Sequence, residues 1–497
     1  MSKESFSNRW GIILASLGMA IGAGNLWRFP RLAGEYGGTF IILWIFFLFA
    51  WSIPLLLAEF SIGKNFKKGV IGSFGSLAGK NFVWMGFFIT VCTLGIAFYY
   101  SVVTAWAIRY LWFSVDNLIS GASISSMLDQ NPDHLSQQWD GVANGSIYTI
   151  LIYILVVFAG VAVLGRGIQK GLEKANKILI PSLFGLLLVI AAMSLTLPNG
   201  LKGLEYMYTI DLSLFSDSRV WIEALSQSAW STGAGWGLMM TLSSYSREKE
   251  DITLNTFVGA FGNNTASLVA GMAIIPAVFA LSATEQEALS FLKAGNQSLT
   301  FIVIPKLFDG FSGGGVLSII FFLALFFAAF SSLLPMIELF ISNLANAGLS
   351  RRMASIIVII FFVLIGFPSA YSLSFFNNQD WVWGVGLILS GFFILLVTAK
   401  YGPDTFKKNF LDRDSDFLVS SIYFKLAVFL NLFIAAFLIY WWLSQGYSQY
   451  PWFNEDGIWN VFDTYSNASV ITQWILVIVV GVMINRFLYR KFVATKS

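Results

Sequence analysis

The sequence predicts an all-α membrane protein with twelve transmembrane helices, and three observations predict this class. First, 57% of the 497 residues are hydrophobic and only 11% are charged, which is far from the balance of soluble domains. Second, apolar runs recur along the whole chain, each near the roughly 20 residues that a helix needs to cross the bilayer core. Third, the basic residues cluster at one set of ends of these runs.

The twelve predicted spans follow one another along a single domain, residues 1–497. They cover residues 10–30, 40–60, 83–112, 147–164, 179–197, 220–245, 254–281, 319–344, 353–367, 381–399, 417–443 and 470–488.

The basic residues orient the spans. Most of the 30 Lys and Arg lie at one set of ends, as in the clusters at 64–68, 166–174, 351–352 and 407–408. The opposite loops, 114–145 and 447–467, contain neither Lys nor Arg. By the positive-inside rule both termini are cytoplasmic, in a multi-pass protein of the cell's inner (plasma) membrane. The net charge of +3 therefore reflects topology, and we expect no nucleic acid partner.

Span 1 is interrupted in its middle. It reads WGIILASLGMAIGAGNLWRFP, with Gly18, Gly22, Gly24 and Asn25 at its centre and Arg28 close behind. Unwound backbone at membrane depth is tolerated only where it is buried in protein or lines a cavity. A broken helix at this depth indicates a binding site near the midplane of the bilayer.

Span 6 carries a second interruption. It reads EALSQSAWSTGAGWGLMMTLSSY, with Gly233, Gly235 and Gly237 at its centre. Paired breaks predict a 5+5 inverted repeat, with helices 1–5 in residues 8–200, helices 6–10 in 219–400, and two extra C-terminal helices, 11 and 12, in 417–490. The alternative is glycine used for close helix packing, which explains one such segment more easily than two.

The string MAIGAGNLWRFPRLAGEYGG resembles the opening of the neurotransmitter:sodium symporter family. Further matches keep the family's order and spacing; they are Pro54, Glu59, Tyr99-Tyr100, Gly171-x9-Pro181, Asn263 and Ser331-Ser332. The resemblance implies a sodium-coupled symporter that imports a neutral amino acid by alternating access, with helices 1 and 6 unwound. Such a protein is not an enzyme.

The resemblance implies two sodium sites. The first uses the carbonyl of Ala20 with Asn25, Ser231 and Asn263, and the substrate carboxylate completes it. The second uses the carbonyls of Gly18, Ile21 and Ala328 with the hydroxyls of Ser331 and Ser332. Interhelical hydrogen bonding is the alternative for Asn263 and the two serines.

The resemblance also implies a substrate site at the two breaks. Its residues are Ala20, Gly22, Gly24, Ile96, Tyr100, Trp230, Gly233, Trp236, Ser332 and Met336. Gly22 stands where the family's monoamine carriers have aspartate, which favours a substrate with its own carboxylate. Since no lining residue is charged, we expect a small neutral amino acid. Gly233 and Trp236 give opposing indications of substrate size.

The residues of the expected extracellular gate match the family, whereas those of the cytoplasmic gate match only in part. Arg28 and Asp380 match the pair that closes the extracellular side, and Tyr245 matches a residue of the cytoplasmic gate. On that side, however, Lys3 stands for the usual arginine, Phe6 for tryptophan and Asn346 for aspartate. These departures leave an alternative function, a transport-inactive amino acid sensor or scaffold on the same fold.

Two further features have family counterparts. Gly171-x9-Pro181 is the motif that lets the start of helix 5 unwind and admit water to the second sodium, and an ordinary entry loop and kink is the alternative. Glu59 and Glu338 match buried polar positions, for which we expect a structural role in hydrogen bonding.

The sequence leaves chloride open. Gln227, Ser231, Asn263 and Ser267 match the residues that surround the anion in chloride-dependent members. Several bacterial relatives place a carboxylate at the position of Ser267, and this chain does not. Against that, Trp44 replaces a tyrosine that helps to hold the ion. The expected cofactors are therefore two Na⁺, with Cl⁻ undecided.

Other classes fit less well. The single histidine, His134, lies in a predicted loop without a metal or nucleophile motif, which argues against an enzyme. The single cysteine, Cys92, excludes an intrachain disulfide framework. An ion channel would need a continuous polar path. The expected partners are the amino acid and the lipid bilayer, and the oligomeric state is open.

Overall fold

A computed structural model describes residues 4–310 and 313–494. Within these ranges the chain is helical, and the only β-type pairing is an isolated bridge between Phe453 and Trp459. The α-helices are α1 Arg9–Ala20, α2 Ala23–Phe47, α3 Ile53–Phe66, α4 Gly69–Ala78, α5 Val83–Ser120, α6 Ile124–Gln130, α7 His134–Ala143, α8 Ile147–Leu164, α9 Lys174–Thr196, α10 Gly200–Tyr208, α11 Ser218–Thr232, α12 Leu238–Ser243, α13 Ile252–Leu281, α14 Glu285–Leu292, α15 Asn296–Ser298, α16 Ile304–Asp309, α17 Gly314–Asn346, α18 Arg351–Phe361, α19 Phe367–Tyr371, α20 Leu373–Tyr401, α21 Pro403–Phe406, α22 Ser421–Gln445, α23 Asn467–Met483 and α24 Asn485–Phe492.

Several helices are joined or extended by π-helical turns. These turns are Leu48–Ser52, Ile168–Glu173, Leu299–Val303, Phe362–Gly366 and Lys407–Leu411. Short 3₁₀ turns cover Leu212–Ser216 and Asp412–Asp414. π turns of this kind are rare and often lie at functional sites, and one of them directly precedes α9.

In the described ranges, nine helices are long and apolar enough to cross a membrane, or ten if the bent pair α23 and α24 counts as one span. The difference from the predicted twelve has a physical cause. α2 bends at Gly37, where φ is 60°, and runs on through the π turn into α3, so Ala23–Phe66 counts as one span that contains the end of predicted span 1 and all of span 2. Span 6 is broken into α11 and α12, which are too short to count separately.

The distribution of polar and apolar side chains is that of a membrane protein. Exposed large apolar side chains cover the outer faces of α8, α18 and α22; examples are Leu155, Ile360 and Phe433. Buried positions, in contrast, include many Ser, Thr and Asn side chains. A helix bundle with polar groups inside and apolar groups outside is what hydrocarbon around the protein requires.

The two broken helices lie together at the centre of the bundle. α11 packs against α2, α1 packs against α17 and α13, and α5 packs along α17. The breaks therefore face α5 and α17, the long helices that carry Tyr100 and Ser332. This packing brings the predicted site residues to one region of the fold.

Candidate functional site

The first break lies between α1 and α2. After Ala20 the helix stops, and the amides beyond it find side-chain partners instead of helical carbonyls. The Gly22 amide donates to Asn25 Oδ1 at 2.9 Å, and the Ala23 amide donates to the Tyr100 hydroxyl at 2.8 Å. A Cβ on Gly22 would lie 2.5 Å from that hydroxyl, so the close approach of α5 requires glycine.

The second break lies between α11 and α12. Gly233, Gly235 and Gly237 all have positive φ, at 70°, 93° and 73°, which ordinary side chains rarely adopt. The Gly235 amide donates to Glu59 Oε1 at 2.5 Å, and Glu59 is fully buried. The Glu59 carboxylate therefore accepts a hydrogen bond from unwound backbone, in agreement with the structural role expected for it.

A cavity of about 660 Å³ lies between the breaks. All the predicted substrate residues line it except Ile96, which is fully buried within α5, one helical turn before Tyr100. At its other end the cavity widens into a vestibule lined by Asp380, Tyr447 and Tyr465.

The chemistry of the cavity changes along its length. Its charged lining residues, Arg28, Arg31, Glu223 and Asp380, belong to the vestibule, while the end at the breaks is lined by backbone, aromatic, hydroxyl and amide groups. Trp230 and Trp236 meet edge to face at 5.3 Å. A Cβ on Gly233 would lie 3.0 Å from the Met19 methyl group, so the space that glycine could have given to the cavity is occupied.

An oxygen cluster surrounds Asn263, on α13. Its side-chain oxygen lies 2.9 Å from the Ser231 carbonyl oxygen and 3.1 Å from the Ala20 carbonyl oxygen, so acceptors face each other. Asn25 Nδ2 donates to the same amide oxygen at 2.8 Å. Two arrangements relieve the repulsion between the acceptors, an Asn263 amide turned by 180° or a cation among the oxygens. The four residues predicted for the first sodium site therefore lie together.

A second cluster joins α1 to α17. The Ser332 hydroxyl lies 2.9 Å from the Gly18 carbonyl oxygen and 3.3 Å from the Ile21 carbonyl oxygen. Ser331, next to it, donates to the Ala328 carbonyl at 3.0 Å. The structure thus brings Gly18, Ile21 and Ser332 into direct contact and pairs Ala328 with Ser331 beside them.

Both clusters suit sodium by their chemistry. Unwound carbonyls, hydroxyls and amide oxygens are the ligands that this ion takes in broken-helix membrane proteins. The ligands are neutral, and the carbonyls of Ala20 and Ile21 belong to the helix break itself. Among the described residues no group of His, Cys, Asp and Glu is suited to a transition metal.

The mouth of the cavity differs from the expected gate. Arg28 donates to Glu223 Oε2 at 3.0 Å and to the Ser226 hydroxyl at 2.9 Å. Asp380 lines the same vestibule, and among the described residues it forms no ion pair with Arg28. The structure therefore pairs Arg28 with Glu223, a residue that the sequence did not single out, and leaves the vestibule open.

The side of the bundle opposite the vestibule is closed by a charged cluster around Glu338. The Tyr245 hydroxyl donates to Glu338 Oε1 at 2.6 Å, and Arg351 binds both oxygens of the same carboxylate at 3.0 and 2.5 Å. Arg351 also donates to the Leu164 carbonyl at 2.9 Å. Glu338 thus holds a charged cluster in addition to the structural role expected for it. Lys3 lies outside the described residues.

The N-terminal segment is bound to the π turn that precedes α9. The Ser7 amide donates to Glu173 Oε2 at 2.9 Å, the Ser7 hydroxyl donates to Oε1, and Lys177 binds the same carboxylate at 2.7 Å. Next to this contact, Phe6 is buried and its amide donates to the Tyr245 carbonyl at 3.0 Å. Sequence reasoning missed Glu173, although it lies two residues after Gly171 of the recognised motif.

Asn176 is a second residue that sequence reasoning missed. It is fully buried on α9, and its amide oxygen and nitrogen have no partner among the described residues. A Cβ on Gly18 would lie 2.6 Å from the Asn176 oxygen, so this amide packs directly against the backbone of the second cluster. The feature that singles out Asn176 is a buried amide without a partner, and this can be recognised only once the folded structure is known.

The predicted chloride residues also lie near the first cluster. The Ser267 hydroxyl accepts from Asn25 Nδ2 at 2.7 Å, and the Ser231 hydroxyl accepts from Asn263 at 3.1 Å. Gln227 is buried with both amide atoms unpartnered in the described part of the chain, and so is the indole N–H of Trp44. Unpartnered donors of this kind suit an anion or a bound water.

Two broken helices around a central cavity define a membrane transporter that binds its cargo near the middle of the bilayer. The sequence profile of the Sodium:neurotransmitter symporter family matches residues 3–139 and 133–495, and the chain belongs to that family. Its members are sodium-dependent transporters, which confirms the resemblance found in the sequence.

The chain is also similar to individual proteins of known sequence or structure. An uncharacterized sodium-dependent transporter of Methanocaldococcus jannaschii is 35% identical over 371 residues, covering 73% of this chain and 74% of the relative. The sodium-dependent serotonin transporter of Drosophila melanogaster is 24% identical over 446 residues, covering 82% and 71%. The crystal structure of MhsT in complex with L-phenylalanine matches 88% of this chain and 98% of its own, with 28% identity and a TM-score of 0.74.

Proposed function

We propose that this protein is a sodium-coupled symporter that imports a neutral amino acid by alternating access. The observation that carries the proposal is the pair of oxygen clusters at the break between α1 and α2, next to a cavity with an uncharged inner end. An ion bound among these oxygens would hold the broken helix in the shape that the substrate needs.

The proposed substrate site follows from the same break. A carboxylate can accept from unwound amides and interact with the positive end of α2, and the Tyr100 hydroxyl lies at the same place. Gly22 brings no carboxylate of its own to this place, and a Cβ there would lie 2.5 Å from that hydroxyl, so an amine without a carboxylate would find no counter-charge here. MhsT, whose structure contains L-phenylalanine, supports a neutral amino acid as the class.

Sodium provides enough free energy for accumulation. Two sodium ions entering with a zwitterion carry two charges, which releases about 4.6 kcal/mol per 100 mV of membrane potential. Each tenfold sodium gradient adds about 1.4 kcal/mol per ion. A coupled carrier can therefore concentrate its substrate by several orders of magnitude.

The geometry corresponds to an outward-facing state. The vestibule opens at the Asp380 side, and the Tyr245–Glu338–Arg351 cluster closes the other. The distribution of Lys and Arg puts that closed side, with both termini, in the cytoplasm of a cell whose plasma membrane holds the protein. Import then requires closure above the substrate and opening of the cytoplasmic cluster.

Uptake into proteoliposomes tests the proposal. Purified protein should accumulate a radiolabelled neutral amino acid when sodium is high outside, and accumulation should vanish when the sodium gradient is collapsed with an ionophore. An amino acid panel in a sodium-dependent thermal-shift assay identifies which substrate to use. Sodium-dependent binding without accumulation would identify the alternative, an amino acid sensor or scaffold. Flux without accumulation would identify a channel.

A further inference from the structure

A second cavity lies at the outer end of α5, away from the proposed transport site. It has a volume of about 420 Å³ and is formed between α5 and α7, with Arg109, Tyr110, Trp112, Asp116 and Gln138 among its lining residues. None of these residues lines the central cavity. The proposed symport does not use this second cavity.

Its depth in the bilayer follows from the length of α5. Tyr100 lies at the helix break, and Arg109 lies nine residues further towards the vestibule side, or about 13 Å along the axis. Half the hydrocarbon thickness is about 15 Å. Arg109 is therefore at the level where phospholipid phosphates meet the acyl chains, in the leaflet on the vestibule side.

The cavity contains polar groups that lack protein partners. The Arg109 Nε, the Tyr110 hydroxyl and the Gln138 side-chain oxygen are buried atoms with no hydrogen-bond partner in the described ranges. Tyr110 is only 1% exposed. Arg109 makes no ion pair with a described residue, and its guanidinium lies over the Tyr148 ring at 5.4 Å. A buried arginine donor and a buried amide acceptor both favour a ligand that supplies an anion and a donor.

The charges are ordered along the membrane normal. Asp116 lies seven residues after Arg109, on the same face of α5 and about 10 Å further out. A positive group at the hydrocarbon boundary with a carboxylate above it mirrors a zwitterionic lipid headgroup, whose phosphate is deeper and whose amine is nearer to water. The Gln138 oxygen adds an acceptor for an ammonium that can donate hydrogen bonds.

The rim of the cavity is suited to acyl chains. Trp112, Tyr148 and Leu151 are 68%, 64% and 56% exposed, and they lie on α5 and on the first turns of α8. Tryptophan and tyrosine at this depth are typical of the interface between headgroups and hydrocarbon. An acyl chain can thus run down this apolar surface while the headgroup enters the cavity.

From this arrangement we propose that the cavity between α5 and α7 binds the headgroup of a phospholipid with a primary ammonium, such as phosphatidylethanolamine. Arg109 binds the phosphate, and Asp116 with Gln138 receives the ammonium. Phosphatidylcholine has the same charges, but its quaternary ammonium cannot donate hydrogen bonds. Phosphatidylglycerol lacks the positive group.

Lipid titrations of the delipidated full-length protein test the proposal, with native mass spectrometry counting retained lipids and a thermal midpoint as a second measurement. Dioleoyl phosphatidylethanolamine should bind better than the matching choline and glycerol lipids. Arg109→Gln should weaken the binding of this lipid roughly tenfold. Arg109→Lys keeps the positive charge and should retain most of the binding. The comparison of the two variants separates loss of charge from misfolding. Asp116→Asn should remove the preference for ethanolamine over choline.

The control is Lys293→Gln, which removes an exposed cation outside the cavity and should behave as the wild type. Equal binding of ethanolamine and choline lipids by the wild type, or an Arg109→Gln protein that binds as the wild type does, would overturn the proposal. So would soluble O-phosphoethanolamine raising the midpoint as much as the lipid, because the site would then serve a free ion. These measurements need no transport and stand apart from the uptake assay.

Discussion

The guanidinium of Arg28 is held by Glu223 at 3.0 Å, across 195 residues of sequence. Both side chains line the vestibule, and both are only partly exposed. Asp380 also lines the vestibule, and we expect closure above the substrate to pair Arg28 with Asp380 instead. The two carboxylates would then compete for one cation, and the structure shows the pair that Arg28 forms with Glu223.

Glu223→Gln should favour closure of the vestibule. The neutral amide no longer competes with Asp380 for Arg28, and pairs with this degree of exposure contribute up to about 1 kcal/mol. We expect a rise of about twofold to fivefold in apparent substrate affinity, measured by sodium-dependent binding. Glu35→Gln is the control, because Glu35 pairs with Arg31 at 2.8 Å instead. A lowered affinity in Glu223→Gln would show that Glu223 does not compete with Asp380.

Asn25→Ala and Ser332→Ala should each abolish stabilisation by sodium. Asn25 joins the cluster at Asn263, and Ser332 joins the Gly18 and Ile21 carbonyls, so each change removes a proposed ligand. Thermal midpoints with sodium and with potassium measure the effect. Ser101→Ala and Asn431→Ala are matched controls at buried positions elsewhere in the fold. If both site variants respond to sodium as the wild type does, the ligand assignments are wrong.

Ser267→Glu should remove any chloride requirement of uptake. A carboxylate at this position would supply the negative charge beside Asn25, which lies 2.7 Å from the Ser267 hydroxyl. Trp44→Phe should weaken chloride dependence if the unpartnered indole N–H donates to the anion. Uptake in chloride and in gluconate gives the comparison. A chloride requirement that persists in Ser267→Glu places the anion elsewhere.

Glu338→Gln should loosen the cytoplasmic side. Arg351 would lose its bidentate partner, and removing one member of a largely buried pair is strongly destabilising. We expect a lower thermal midpoint and faster amide hydrogen exchange in α1, whereas Glu248→Gln, an exposed change nearby, should alter neither. Unchanged exchange in α1 would mean that the cluster does not hold the cytoplasmic side closed.

Asn176→Leu should raise the thermal midpoint in the absence of sodium. The change replaces a buried amide without partners by an apolar group of similar size, and such an amide costs about 1–3 kcal/mol. Because this amide packs against Gly18, we also expect a smaller midpoint shift on adding sodium. Asn431→Leu is a comparable buried change away from the site. A lower midpoint in Asn176→Leu would show that the amide is satisfied in the native protein.

The sequence was sufficient for the features that depend on local chemistry. Glycines at Gly22, Gly233 and Gly235 predicted both breaks, since an unwound helix needs residues that tolerate close approach or positive φ. The predicted site residues around the breaks followed from the family resemblance, and most of the predicted substrate residues line one cavity. The count of spans was less certain, because broken helices fall short of the length on which counting depends.

Contacts between distant segments were beyond the sequence. Glu223 meets Arg28, and Glu173 meets Ser7, only because helix rotation and packing point these side chains at each other. Ile96 stays a prediction: it lies one turn before Tyr100 on α5 and is fully buried, but it is not among the residues that line the cavity. Orphaned polar groups such as Asn176 exist only once neighbours are known.

The π turn Ile168–Glu173 gives α9 one extra residue at its N-terminal end. A π turn contains one residue more than an α turn. If it converted to α-helix, that residue would join the preceding loop, and the residues before the turn would rotate about the helix axis by about 100°. Gln169, near the start of this turn, donates to the Ser5 carbonyl at 2.7 Å, and such a rotation would carry this donor away from the N-terminal segment. The N-terminal segment could then be released by a local change of helical register, without unfolding α9.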